Sequence, residues 1–285
     1  MSAARLHVEV VCAGIGVHSG LPAVLTLRPA PAGSGRTFVR GSARIPATLE
    51  HVVDARLATT LGHEGVRVGM VEHLLAALVV RGIEDVDLVL EGDEVPILDG
   101  SAHGWLAHLA EGAPSPASHA SAGTSDGLPS VRLDRLVRVE TRGGSWAEAA
   151  PADDLSLDVS VTFAHPAIGA QRWSGGADRF EAELAGARTF GFLADAEALR
   201  AAGLARGARH DNALVFDADG PMTPLRWPDE PVRHKALDLL GDLALLGAPL
   251  CARVRVHHGG HALHHALVRA LTEAMAVAHG GARRA

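Results

Sequence analysis

Residues 71–82 read VEHLLAALVVRG. From Leu74 to Val80 every side chain is apolar, and a helix that is apolar all round is packed inside a protein rather than laid on its surface. Gly82 stands where the residue that closes a helix belongs. At seven residues the run is far short of the roughly 20 needed to cross a bilayer. Glu72 and His73 therefore sit at the buried end of a core helix, where a carboxylate and an imidazole out of water need partners. Two readings stay open on these residues alone. One is a glutamate favoured by the positive helix end beside a satisfied core histidine; the other is a pair that carries chemistry.

Working outward, Val86, Leu88 and Leu90 alternate as a strand, as do Leu25 and Leu27, and Leu6, Val8 and Val10. The glycines of GIGVHSG, 14–20, mark a turn; the spacing of a dinucleotide fingerprint and the lysine of a phosphate loop are both missing. His18 in that turn reads as structural. In EVPILDGSA, 94–102, Asp99-Gly100 makes a turn and Ser101 caps a helix up to Ala110. Residues 112–130 are almost wholly Gly, Ala, Pro and Ser, too poor in large apolar side chains to order themselves, and read as a linker. Beyond it, strands are expected over 131–140, 155–163, 213–217 and 251–257, and helices over 177–186, 195–203, 233–247 and 261–279. No internal repeat is visible. These elements make an α+β protein with domains at 1–111 and 131–285.

The 285 residues carry 26 Lys and Arg against 33 Asp and Glu, a net charge of −7. That balance argues against a nucleic-acid binder. No tyrosine and few aromatics leave the core to aliphatic residues and alanine. The two cysteines, Cys12 and Cys251, cannot build a disulfide framework. His7 and Glu9 interrupt any signal-peptide core, so a cytoplasmic enzyme with no stable membrane insertion is expected.

Two further stretches hold candidate chemistry. In VRHKALDLLGDLALLG, 232–247, His234, Asp238 and Asp242 recur every fourth residue and span a stripe of roughly 80°. This is either the wet face of an amphipathic helix or a His-x-x-x-Asp pair that chelates a metal from consecutive turns. In HHGGHALHHALVRAL, 257–271, His261 follows a Gly-Gly turn and can point into a cleft, whereas His264 and His265 read as solvated or lying behind the site.

Taken in order, GIGVHSG, VEHLLAAL, EVPILDGSA, RTFGF, DNALVFD, VRHKALDLLGDLALLG and GGHALHHALVRAL resemble the UDP-3-O-acyl-N-acetylglucosamine deacetylases of lipid A biosynthesis, over about residues 6–275. The resemblance implies two similar-sized α/β-sandwich domains with the active site between them; a monomer is the plain expectation. It implies a Zn2+ ion on His73, His234 and Asp238, with Glu72 as general base. His261 becomes the cation that protonates the leaving amine, oriented by Asp242. Thr189 and Lys235 match substrate contacts, Phe163 a ring beside the uracil, and Arg233 a cation for the diphosphate. Ile168 and Trp173 match the acyl-chain passage, or else pack in the core. The implied substrate is a UDP-sugar carrying an acyl chain. The chain departs from the family pattern at Met70, Arg209-His210, His258-Gly259 and His264-His265. Rival readings are a zinc amidohydrolase for another acylated amino sugar and a nucleotide-sugar-binding module without turnover.

Overall fold

Two sheets built on one strand plan organise the chain, although no sequence repeat announces it. The computed structural model describes residues 4–112 and 129–281, with side chains to 276. The expected linker at 112–130 lies almost wholly outside the described residues. The first half runs β1 (Val10–Ile15), β2 (Pro22–Pro29), β3 (Arg36–Arg40), β4 (Ala43–Pro46), β5 (Val52–Asp54), β6 (Thr60–His63), β7 (Val66–Val68), α1 (Glu72–Val80), β8 (Val86–Glu91) and α2 (His103–Gly112). The second half runs β9 (Val131–Arg132), β10 (Val137–Glu140), β11 (Trp146–Pro151), β12 (Ser156–Thr162), β13 (Ala170–Gly176), α3 (Ala177–Glu183), β14 (Phe190–Phe192), α4 (Ala196–Ala201), β15 (Leu214–Phe216), α5 (Glu230–Leu243), β16 (Leu250–His257) and α6 (His261–Gly281).

The first sheet has the order β1-β2-β8-β3-β4 and the second β10-β11-β16-β12-β13, with β9 also on β16. In each, a strand formed late in sequence inserts between two hairpins. It runs parallel to β3 or β12 and antiparallel to its other main neighbour. Each central strand follows one helix and leads into another, so α1 corresponds to α5 and α2 to α6. The first half adds the small sheet β5-β6-β7 before α1; the second adds α3 to β15 before α5.

One continuous core runs from Leu25, Leu27 and Phe38 through Leu74 and Leu78 of α1 and Leu237 and Leu240 of α5 to Val159 and Val254. Helices α1 and α5 pack directly on each other, and α5 also on α6. The α+β expectation holds. Gly82 closes α1 with φ +66°: Ile83 N–H reaches Leu78 O at 2.9 Å and Gly82 N–H reaches Val79 O at 3.0 Å, the left-handed cap that the sequence predicts. Ser101 Oγ accepts from His103 N–H at 3.1 Å, as a cap should.

Some boundaries differ. The alternation at Leu6 and Val8 is not strand; β1 starts at Val10. The strand expected over 131–140 is broken between β9 and β10. Helix α5 begins earlier, at Glu230, where Pro231 suits a first turn that needs no N–H donor there. Among the described residues, no helix is long and apolar enough to cross a membrane.

Candidate active site

The site exists because α5 can come very close to α1. Gly241 lies against the Glu72 backbone so tightly that any Cβ there would overlap the Glu72 carbonyl. The polar stripe of α5 consequently faces α1 and α6 instead of water: His234, Asp238 and Asp242 are all buried, as are Glu72 and His73. The wet-face reading of that stripe is thereby excluded.

His73, His234 and Asp238 bring their ligand atoms within 4.8 Å of one another. Asp238 Oδ1 lies 3.2 Å from His234 Nε2 and 3.5 Å from His73 Nε2, and it is buried without a hydrogen-bond donor. A carboxylate oxygen is costly to bury in that condition unless it meets a cation. Its neighbours suit a metal. His234 donates from Nδ1 to Ala187 O at 3.0 Å, which leaves Nε2 with its lone pair. Burial pushes the His234 imidazole down to about 3, so it is neutral at pH 7. Asp238 stays ionised against the cost of burial. With His234 neutral, the Lys235 ammonium, 2.9 Å from Oδ2, is the charge that holds it well below the usual carboxylate range. Two imidazoles and a carboxylate form a three-ligand set of the kind found in catalytic rather than closed structural metal sites. The donor set fits a metal ion.

A second buried cluster adjoins the first. Asp242 Oδ2 accepts from His261 Nδ1 and from His264 Nδ1, each at 2.8 Å. Asp242 Oδ1 accepts from Thr59 Oγ1 at 2.5 Å and lies 3.3 Å from His265 Nε2. His264 and His265 are thus not solvated, contrary to one of the two readings above. They turn inward because Asp242 gives them a partner, and because Gly259 leaves room: a Cβ there would press on His264 Nε2. Burial opposes charge on His261, but the adjoining Asp242 prevails and raises it to about 9. Burial pushes Glu72 above the ordinary glutamate value. Its Oε1 faces His261 Nε2 at 3.8 Å, and its Oε2 accepts from Thr59 N–H at 3.0 Å. A carboxyl and an imidazolium facing each other beside a metal-ligand set can serve as a base and an acid. This cluster is also a group of three, Asp242, His261 and His264, able to hold an ion, but its oxygens already have donors.

The remaining predicted residues divide between this pair of clusters, an aromatic cleft and the core. Lys235 belongs to it through Asp238, and its Nζ lies 5.6 Å from the centre of the Phe190 ring. Phe190 is edge-on to both His234 and Phe163. Phe163, His165, Phe192 and Phe216 line a cleft of about 640 Å³. Thr189 is clamped by its backbone, with N–H donating to Gly100 O at 2.7 Å and its carbonyl accepting from Leu214 N–H at 2.8 Å. Arg233 is not brought to the cluster; it binds Asp229 at 2.7 Å and Glu183, and lies over Trp227. Ile168 packs with Leu214 and Phe216. Trp173 is core, with Nε1 donating to Glu183 at 2.9 Å. His18 binds 205–206 through its carbonyl and Nδ1, a structural role. A larger cavity of about 1210 Å³ opens beside Val79 and Leu243 and is lined by none of the predicted site residues.

Sequence reasoning missed Thr59 and the buried pair Arg188–Glu230. Arg188 Nε and Nη2 donate to Glu230 at 2.9 and 3.1 Å, which fixes the segment whose Ala187 carbonyl orients His234. For that pair the sequence offers one signal, the Arg directly before the Thr of RTFGF.

The family model for UDP-3-O-acyl N-acetylglycosamine deacetylase matches residues 4–273. A UDP-3-O-acyl-N-acetylglucosamine deacetylase of Myxococcus xanthus is 44% identical over 267 residues, covering 90% of this chain and 82% of its own. Proteins of the same name from Thermosynechococcus vestitus and Brucella ovis are 43% and 40% identical, covering 91% and 92% of this chain and 90% and 92% of their own. On the match along nearly its whole length, the chain belongs to the UDP-3-O-acyl N-acetylglycosamine deacetylase family.

Proposed function

We propose that this chain is a zinc-dependent amidohydrolase that removes the N-acetyl group of UDP-3-O-(3-hydroxyacyl)-N-acetylglucosamine in the cytoplasm, a step of lipid A biosynthesis. The observation that carries the reading is the meeting of α1 and α5, which unites Glu72, His73, His234 and Asp238 around a buried carboxylate oxygen that lacks a donor. In this reading His73, His234 and Asp238 hold zinc. Zinc bound there supplies Lewis acidity toward the amide carbonyl and toward an attacking water.

The chain's own groups then manage the protons. Glu72, desolvated and therefore more basic than an ordinary glutamate, takes a proton from the water as it attacks. The carbon–nitrogen bond breaks only if the amine leaves protonated. His261, kept charged by Asp242, faces the developing oxyanion and gives its Nε2 proton to that nitrogen. Acetate and a free amino sugar result. Thr189 hydrogen-bonds the oxyanion. Of the two candidate cations, Lys235 lies at the cluster beside Asp238 and takes the larger part of diphosphate recognition, whereas Arg233 is held away from it by Asp229 and Glu183. Phe163 lies beside the uracil at the aromatic cleft.

The test is incubation with this substrate and measurement of released acetate. We expect turnover by the metal-loaded protein, and a fall in kcat of about 10²-fold or more for Glu72→Gln, which keeps its metal. Background acetate from metal-loaded protein would instead indicate a nucleotide-sugar-binding module.

A further inference from the structure

Thr59 is fully buried and touches both halves of the acid–base pair. Its backbone N–H donates to Glu72 Oε2 at 3.0 Å, and its hydroxyl donates to Asp242 Oδ1 at 2.5 Å. With that proton given to Asp242, Oγ1 is left as an acceptor, and His265 Nε2 lies 3.0 Å away to donate into it. His261 Nδ1 is 3.3 Å off, but its hydrogen points to the shorter contact with Asp242. A chain of donors thus runs from His265 through Thr59 to the carboxylate that orients His261. Thr59 comes from the loop before β6, whereas Asp242 and His265 come from the other sheet's helices, so the three meet only through tertiary packing.

From this we infer that Thr59 is a positioning residue that locks Glu72 and Asp242 into one mutual geometry, its N–H choosing which Glu72 oxygen faces the substrate and its hydroxyl fixing Asp242, and hence His261. The inference rests on the assignment of Glu72 as base and His261 as acid. Neither backbone nor hydroxyl touches the reacting atoms, so the effect belongs to kcat and not to substrate affinity.

Thr59→Val keeps the backbone donor and the shape and deletes the hydroxyl; Thr59→Ser restores it. We expect Thr59→Val to lose about 10–100-fold in kcat, the usual range for partners that orient site residues, with KM changed less than about threefold and one metal still bound. Thr59→Ser should return to within about threefold of the parent kcat. Should the valine variant fail to fold, Thr59→Cys, similar in size to serine but a weak donor, takes its place with the same expected loss relative to serine. Parent-like kcat in the valine or cysteine variant, or equal losses in the serine and valine variants, overturns the inference. Glu72→Gln, run alongside, separates the two levels. If the parent protein turns over and Glu72→Gln does not, a silent Thr59→Val refutes only the positioning role; if Glu72→Gln is also silent, the underlying assignment fails.

Discussion

Gly241→Ala is the sharpest probe of the helix crossing on which the site depends. An isolated Gly-to-Ala change inside a helix stabilises by about 1 kcal/mol, because alanine loses less backbone freedom. Here the new methyl would overlap the carbonyl oxygen, carbonyl carbon and Cα of Glu72, all backbone atoms that cannot rotate aside. Restoring ordinary contact distances, about 3.5 Å or more between such atoms, requires α1 and α5 to separate by about 1.5 Å. Overpacking of this kind costs about 1–3 kcal/mol, so the net change is a destabilisation of about 0–2 kcal/mol and a melting temperature lower by a few degrees. The functional effect is expected to be larger than the thermal one. Glu72 and His73 ride on α1 while His234 and Asp238 ride on α5, and a misplacement of about 1 Å in a catalytic constellation can cost on the order of 10²-fold. Scanning calorimetry together with steady-state acetate release measures both. A Gly241→Ala protein with a parent-like melting temperature and parent-like turnover would refute the claim that close helix approach builds the site.

Other consequences are separable. Asp242→Asn removes the charge that raises His261 to about 9, so the basic limb of the kcat/KM profile should move from near 9 toward the ordinary imidazole value of about 6.5; an unmoved limb would reassign the acid. Because that folded-state value is raised, the pair's contribution to stability is complete below about pH 6.5 and is lost as pH climbs through about 9. Melting temperature should therefore fall across that window in the parent and fall less in Asp242→Asn. Arg188→Met leaves the fully buried Glu230 without its bidentate partner and should cost about 3–5 kcal/mol in denaturant unfolding; a loss under about 1 kcal/mol would show that the pair is not the clamp described above.

The sequence disclosed the elements better than their meetings. VEHLLAAL announces a buried helix because no face of it tolerates water, and the i, i+4 spacing of His234 and Asp238 puts both on one side of another. Nothing local says that these two helices cross, since Gly241 looks like any helix glycine until the Glu72 carbonyl is seen against it. The repeated strand plan was invisible for a related reason: topology constrains hydrophobic pattern and connection order, not residue identity. His264 and His265 stayed open between a solvated place and one behind the site because an imidazole in a polar stretch resembles a surface residue, and only the fold supplies Asp242 as their partner. Thr59, in the plain run LATTL, carries no motif at all; its importance comes from residues 183 and 206 positions away.

We assign one shared ion to His73, His234 and Asp238, which come from two halves of the chain. Anomalous diffraction at the zinc edge from crystals of zinc-loaded protein tests it most directly. One strong peak per chain is expected, about 2.0–2.2 Å from His73 Nε2, His234 Nε2 and an Asp238 oxygen. No peak there, or a peak only among Asp242, His261 and His264, would contradict it.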